Sequence, residues 1–419
     1  MKEISLVIIG GGSAGLAAAV GAYDEGVKDI LIIERSPYLG GILNQCIHNG
    51  FGLTEFKEEL SGPEFADRFI KQAQERNIPY VLESTVLEVT KDKVVTYTSA
   101  KEGVVKIQAK AIIMAAGCYE RSAGAIGIPG DRPAGVLTAG QAQLLLNQYG
   151  YMVGKRVFIL GSGDIGLIMA RRLTLEGAKV LGVAEIMPYS NGLNRNMVQC
   201  LEDYNIPLYL SHTVSRVYGK ERVEKIEISK VDERMRPIKG TEMTFDVDTL
   251  ILSIGLIPNN TLLNNIGIPT GRSRGCAVDN HYESEFDGFF ACGNVLHVHD
   301  LVDNVVAESR EAGKYAARYI QGQLEKKQDR IHVSAGDGIG YVVPEYVALD
   351  GSKTTAFKFR VRKPSKNVYI TYTLNGNVIK KVFKPVIIPS EMEIMNIPSE
   401  LLGEGKGELS VSLVQKEEN

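Results

Sequence analysis

The chain has 419 residues, 44% of them hydrophobic and 23% charged, with a net charge of −3. That composition is ordinary for a globular protein with a sizeable core, and at about 150 residues per domain it predicts roughly three domains. Near-neutral charge excludes the basic footprint of a nucleic-acid binder or of a protein drawn to anionic membrane, and no apolar run approaches the roughly 20 residues of a membrane span.

The apolar run after Met1, Lys2 and Glu3 is too short for a signal peptide and reads as a first β-strand, Ser5 to Ile9. Gly10-Gly11-Gly12-Ser13-Ala14-Gly15 follows, then a predicted helix from Leu16 to Tyr23 and a second strand, Ile30 to Ile33, that ends at Glu34. Strand, GxGxxG, helix, strand and acid in that order make a Rossmann dinucleotide cradle. Gly10 permits the tight turn, Gly12 lets the backbone approach a pyrophosphate, and Gly15 lets the helix lie on the strand. The helix N-terminus then faces the phosphates, and Glu34 is placed to accept hydrogen bonds from a ribose diol.

Five cysteines, Cys46, Cys118, Cys200, Cys276 and Cys292, are scattered without a CxxC pair. An odd count in a chain of this size points to a reducing cytoplasm rather than a disulfide framework. No Cys/His spacing fits a zinc or iron–sulfur site, so no metal is expected. Cys46 follows Gly40-Gly41 and lies two residues before His48. It reads either as a thiolate that could act catalytically or as a small buried hydrophobe.

A late apolar strand, Ala111 to Ala116, ends in Gly117. The cradle then recurs. Arg156 to Leu160 is a predicted strand, Gly161-Ser162-Gly163-Asp164-Ile165-Gly166 opens a helix to Glu176, and the strand from Lys179 ends at Glu185. Its own late strand, Thr249 to Ile254, ends in Gly255. Glycine spacing and the offset to the acid are the same in both copies, and that repetition carries the assignment where one GxGxxG would not. Strands without polar alternation predict parallel sheets covered on both faces. His297, His299, Asp300 and Asp303 form a dense polar group before a helix, for which a flavin-edge and capping role is favoured over metal binding. Asp303 is read as that helix's cap, and Val305, Ser309, Ala312, Ala316 and Ile320 as its inner face.

A charged linker is expected over 321–330, and after it the pattern turns to strands. Phe357, Phe359 and Val361 alternate with polar residues, and Asn375-Gly376 between Val368–Leu374 and Val378–Phe383 is a hairpin signal. The fold class is α/β, with two Rossmann-like dinucleotide-binding domains and a small C-terminal antiparallel β-domain. That last domain is either a stability cap or a docking surface for partner subunits.

These residues resemble the two-dinucleotide-binding flavoproteins of the pyridine nucleotide-disulfide oxidoreductase superfamily. Pro129 to Gln141 looks like the branch with NAD(FAD)-dependent dehydrogenases of anaerobic glycerol-3-phosphate dehydrogenase systems and flavin subunits of sarcosine- and opine-oxidising complexes. The resemblance implies FAD on Gly10, Gly12, Ser13, Ala14, Gly15, Glu34, Arg35, Gly41, Val86, Ala116, Gly117, Gly293 and Asn294. It implies NAD(H) on Gly161, Gly163, Asp164, Ile165, Gly166, Glu185 and Gly255. Asn294 stands where the family's Gly-Asp motif has its acid, and is expected to accept a ribityl hydroxyl proton. The family arrangement inserts the NAD domain, 118–279, within an FAD domain of 1–117 and 280–325, leaving 326–419 as the β-domain.

Glu185 would repel a 2′-phosphate and residues 186–189 carry no arginine, which favours NAD over NADP, with Arg195 the one rescue. The expected function is an FAD-dependent oxidoreductase passing electrons between NAD(H) and a partner redox protein or acceptor. Alternatives are a hydrogen peroxide-forming NADH oxidase, a flavin component of an amine, proline or opine dehydrogenase, and a non-catalytic nucleotide sensor. No nucleic acid or membrane span enters the reading, and a homo-oligomer is allowed by it.

Overall fold

A computed structural model of the chain describes residues 1–324, 330–349, 353–403 and 406–416. The core of the expected linker, 325–329, lies outside the described residues. Two compact units emerge, Met1–Cys118 with Pro258–Asn419, and Tyr119–Ile257. The insertion is therefore shorter at its C-terminal end than 118–279: residues 258–279 belong to the first unit, and the C-terminal strands are grouped there too.

In the first unit, β1 (Lys2–Ile9) leads into α1 (Ser13–Asp24) and β2 (Ile30–Ile33), followed by α2 (Gly62–Glu75) and β3 (Tyr80–Val81). A meander of β4 (Ser84–Val89), β5 (Val94–Ser99) and β6 (Gly103–Met114) completes the first stretch. The sheet order is β3-β2-β1-β6-β5-β4. β1 pairs in parallel with β2 and β6, and the meander pairs antiparallel. Leu6, Val7 and Ile8 are all fully buried, so β1 is covered on both faces, as its unbroken apolar run requires.

The inserted unit is built on the same plan. β7 (Val136–Thr138) precedes α3 (Ala139–Asn147), β8 (Arg156–Leu160), α4 (Asp164–Leu175), β9 (Lys179–Glu185) and β10 (Leu208–Leu210). A three-stranded antiparallel sheet of β11 (His212–Tyr218), β12 (Lys225–Lys230) and β13 (Met243–Asp246) comes next, before β14 (Thr249–Leu252). The main sheet is wholly parallel in the order β7-β14-β8-β9-β10.

On its return the chain adds β15 (Phe289–Ala291), parallel to β6, and α5 (Val302–Ile320). α1 and α5 approach closely through glycine. A Cβ on Gly21 would lie 2.3 Å from Arg310 O, and one on Gly313 would lie 2.0 Å from Ala18 O. Such contacts admit no side chain, so the two helices cross backbone against backbone. Val305, Ser309, Ala312 and Ala316 are buried on that helix and Ile320 half-buried, matching the predicted face.

The C-terminal region is a β-sandwich. One sheet joins β16 (Arg330–Ala335), β18 (Tyr346–Ala348), β20 (Ser365–Leu374), β21 (Asn377–Ile387) and β23 (Gly407–Gln415), in the order β18-β16-β23-β20-β21. The other joins β17 (Ile339–Val343), β19 (Thr354–Val361) and β22 (Glu393–Pro398). The Asn375-Gly376 hairpin forms, with Leu374 paired to Asn377 and positive φ at both turn residues. One ladder, β16 with β23, is parallel, so the sheets are not purely antiparallel. Phe357, Phe359 and Val361 face the sandwich core, which turns Lys358 and Arg360 of β19 to its opposite face. Among the described residues no helix is long and apolar enough to cross a membrane.

Candidate functional site

The two glycine turns are built alike, each in its own unit. A Cβ on Gly10 would sit 2.5 Å from Ala115 O, and one on Gly161 would sit 2.1 Å from Ser253 O. Both glycines also have positive φ, +109° and +99°. Each first glycine is thus pinched under the end of the late strand, and no other residue fits there. The third glycines are also constrained, the first more tightly: a Cβ on Gly15 would meet Gly10 O at 1.8 Å, and one on Gly166 would meet Ser253 Cβ at 2.7 Å.

The acids are correspondingly placed. Glu34 is buried, and its carboxylate accepts from Gly11 N at 2.7 Å and Ser36 N at 2.8 Å. Glu185 is buried and accepts from Ser162 N at 3.0 Å, Ser162 Oγ at 2.7 Å and Met187 N at 2.9 Å. Each acid therefore ties the middle of its turn to the end of the second strand, a structural task additional to the expected ribose contact.

Neither α1 nor α4 carries a side-chain cap at its N-cap glycine, Gly12 or Gly163. The first backbone N–H groups of a helix need an acceptor, and a phosphate supplies one. Ser13, Ala14 and Gly15 open α1, and Gly41 Cα abuts the position a Gly12 Cβ would take, at 3.8 Å. A side chain at Gly12 would fill this cradle, so its residues fit a dinucleotide. In α4, Gly166 N already donates to Ser253 Oγ at 3.1 Å, and Asp164 accepts from Leu193 N at 2.9 Å and Asn196 Nδ2 at 2.6 Å. Gly161 N and Ser162 N are engaged too, by Ala184 O at 2.7 Å and Glu185 Oε2 at 3.0 Å, on either side of the Gly163–Ile165 stretch. Gly255 and Gly117 both have positive φ at the ends of the late strands, beside Ala116 in the first unit. Arg35 is exposed beyond β2, and Val86 is half-buried on β4.

Beyond Gly293 the first unit gathers a polar hub that sequence reasoning found only in part. Glu308, on α5, is completely buried at its centre. Its Oε1 accepts from Gly293 N at 2.8 Å; its Oε2 lies 2.5 Å from Lys358 Nζ and 2.9 Å from His297 Nε2. Burial opposes charge on Glu308, but the Lys358 ammonium beside it holds its carboxyl well below the usual range. Burial likewise opposes charge on Lys358, and Glu308 outweighs it and raises the ammonium. The pair is ionic. His297, by contrast, is pushed down to about 3, chiefly by burial, so it is neutral. Lys358 also donates to Tyr282 Oη at 3.1 Å, and Arg360 reaches Val298 O at 3.2 Å and Asp300 Oδ1 at 3.6 Å. The sandwich thus lends two cations to the flavin-motif region. Neither Glu308 nor Lys358 announces itself in sequence, because a lysine between two phenylalanines reads simply as the solvent side of a strand.

Two expectations change here, those for Asp303 and Asn294, and Cys46 takes the buried one of its two readings. Asp303 is inside α5, and its carboxylate accepts from Gly52 N, Thr54 N and Glu55 N at 3.1, 2.9 and 2.8 Å, so it anchors the 52–55 loop instead of capping its own helix. Asn294 Oδ1 accepts from His299 N at 3.0 Å and faces His299 Nδ1 at 3.2 Å, while Nδ2 points to Cys118 Sγ at 3.7 Å. With its carbonyl so engaged, Asn294 offers a ligand N–H donors, the reverse of the expected acceptance. Cys46 is a protonated thiol: burial pushes it up to about 12, and its Sγ donates to Ile42 O at 3.3 Å. None of the five cysteines is in a disulfide.

A ring nitrogen of His297, one of His299 and a Glu308 oxygen lie within 4.8 Å of one another. The Lys358 ammonium already sits on Glu308 Oε2, so a divalent ion there would meet a like charge at contact distance. The hub is an ion-pair centre.

Residues 4–312 match the family model of the pyridine nucleotide-disulphide oxidoreductases, and the chain belongs to that family. It is an FAD-dependent pyridine-nucleotide oxidoreductase. Among its relatives, thioredoxin reductase of Bacillus subtilis is 24% identical over 334 residues, covering 79% of this chain and 98% of that protein. One of the subunits of opine oxidase from Agrobacterium tumefaciens is 25% identical over 280 residues, or 62% of this chain. The match spans only 54% of that relative's length. In fold, the crystal structure of T. acidophilum thioredoxin reductase is similar with a TM-score of 0.61 at 21% identity, over 77% of this chain and 99% of that one.

Proposed function

We propose that the chain is an NAD-linked flavin subunit that passes electrons between NAD(H) and a partner redox protein, of the kind serving a glycerol-3-phosphate or related dehydrogenase. The observation carrying this is the duplicated cradle with its two buried, hydrogen-bonded acids. Bound FAD supplies a two-electron acceptor for hydride. The turn at Gly10–Gly15 and Glu34 hold the flavin nucleotide, with Arg35, Gly41, Val86, Ala116, Gly117, Gly293 and Asn294 lining its remaining length. Gly161, Gly163, Asp164, Ile165, Gly166, Glu185 and Gly255 hold the nicotinamide nucleotide. Glu185, negative at the end of β9, disfavours a 2′-phosphate and selects NAD(H).

Hydride transfer asks the protein for positioning and exclusion of water more than for acid–base side chains. Five cysteines outside any disulfide, with no CxxC pair, support an acceptor other than a disulfide held in this chain. The opine oxidase relative is named as one subunit of its enzyme, which supports assembly with partners. The test is anaerobic addition of NADH to the yellow protein. Rapid bleaching, weaker with NADPH, followed by reoxidation on adding the dehydrogenase partner, is expected. A flavin that NADH leaves oxidised would overturn the reading in favour of a nucleotide sensor, and fast reoxidation by oxygen alone would favour an oxidase.

A further inference from the structure

One ring nitrogen of the polar hub makes no hydrogen bond. The His299 side chain is 1% exposed, and its Nε2 lies 3.4 Å from Glu308 Oε2 without bonding to it. The tautomer follows from the neighbours. Asn294 Oδ1 can only accept, so His299 Nδ1 carries a proton and, in the neutral ring, Nε2 carries a lone pair facing a carboxylate. His297 is the complement: its Nε2 donates to Glu308 and its Nδ1 faces Tyr341 Oη at 3.5 Å. Gly293, His297 and Lys358 all donate to the Glu308 carboxylate, and His299 alone of its polar neighbours does not. One additional proton at His299 Nε2 would turn a lone-pair repulsion into a charge-assisted hydrogen bond.

Charge decides when that proton arrives. The groups facing His299 are Glu308 and His297, with Lys358, Tyr282, Tyr341, Asp300 and Arg360 around them. Glu308 and Lys358 cancel, as do Asp300 and Arg360, so the hub is neutral while His299 is neutral. Protonation makes it a buried +1, which is costly unless a negative charge appears nearby. Hydride transfer to a flavin creates one.

We propose that His299 is the proton-holding residue of the flavin site, binding a solvent proton at Nε2 each time the flavin gains two electrons and releasing it on reoxidation. This rests on the reading that the first cradle holds FAD. The balance is simple. The C–H bond of NADH breaks with its electron pair and its hydrogen passes to the flavin, leaving NAD+. The surplus negative charge is matched by one proton from solvent that forms the N–H bond at His299. Lys358 and Tyr282 line a cavity of about 140 Å³ on the sandwich side. The ammonium of Lys358 stays charged throughout, fixing the Glu308 carboxylate that receives the new His299 N–H bond. The C-terminal domain is then part of the redox site, through Lys358, a positioning residue that keeps Glu308 ionised.

The experiment is a potentiometric titration of the FAD-loaded, full-length protein across pH, for the wild type, His299→Gln, Lys358→Met and Lys358→Arg. The wild type is expected to take up one more proton per two electrons than His299→Gln. Its potential then falls more steeply by about 30 mV for each tenfold drop in proton concentration. Lys358→Met should lose the same increment, and Lys358→Arg should restore it. Equal slopes in wild type and His299→Gln would overturn the proposal while leaving the flavin assignment intact; a colourless wild-type protein would overturn the flavin assignment itself. Should His299→Gln not hold FAD, ¹⁵N-histidine NMR of the wild type decides. Protonation of one Nε2 on reduction is expected, and unchanged histidine signals would sink the idea.

Discussion

Replacing the third glycine of each cradle by alanine separates the two nucleotide assignments. A Cβ on Gly15 would lie 1.8 Å from Gly10 O and 3.3 Å from Ile8 Cγ2. Both Gly10 O and the α1 backbone are fixed, so reaching ordinary contact means parting the turn from the helix by about 1.6 Å, using a contact distance of about 3.4 Å. Overpacking of that kind costs about 3 kcal/mol, and alanine's better helix propensity returns about 1 kcal/mol. A net loss of about 2 kcal/mol is expected, concentrated in the phosphate-holding turn. Gly166→Ala is milder, because its Cβ would meet Ser253 Cβ at 2.7 Å and Gly161 O at 2.9 Å, and the Ser253 side chain can yield. About 1 kcal/mol is expected there. Visible absorbance of the purified variants reports flavin content, and NADH titration of the bound flavin reports the second site. Gly15→Ala should come out depleted of FAD. Gly166→Ala should stay yellow but bind NADH about tenfold more weakly, which corresponds to about 1.4 kcal/mol. A fully yellow Gly15→Ala protein, or loss of flavin from Gly166→Ala, would refute the assignment of the cradles.

Three further outcomes follow from buried groups in the first unit. Glu345 is held up at about 7 by burial, so its carboxyl binds a proton in the folded chain that the unfolded chain releases near 4.5. Stability therefore falls as pH rises between those values, by up to about 3 kcal/mol, and Glu345→Gln should flatten that decline in denaturant melts. A pH profile identical to wild type would contradict it. Asp303→Ala strands the Gly52, Thr54 and Glu55 amides and should cost about 3 kcal/mol, with faster hydrogen exchange confined to that loop. Unchanged exchange there would mean the carboxylate is not the anchor. Cys46, with its thiol near 12, should resist alkylation at neutral pH in the native protein, and Cys46→Ser should leave turnover unaltered; rapid labelling would restore the thiolate reading.

Amino-acid order alone determined both glycine turns, their acids, the late strands and the Asn375-Gly376 hairpin. Each depends on contiguous residues whose backbone freedom or side-chain alternation is set locally. Tertiary structure decided the rest. Asp303 looked like a cap because caps are local, yet its partners are the amides of Gly52, Thr54 and Glu55 about 250 residues away. Asn294 looked like an acceptor until His299 was seen to occupy its carbonyl. Lys358 looked like a solvent-facing residue between Phe357 and Phe359, because alternation along a strand tells which residues share a face but not what covers that face. Only the folded chain brings that lysine within 2.5 Å of Glu308, 50 positions earlier, where burial makes each charge depend on the other.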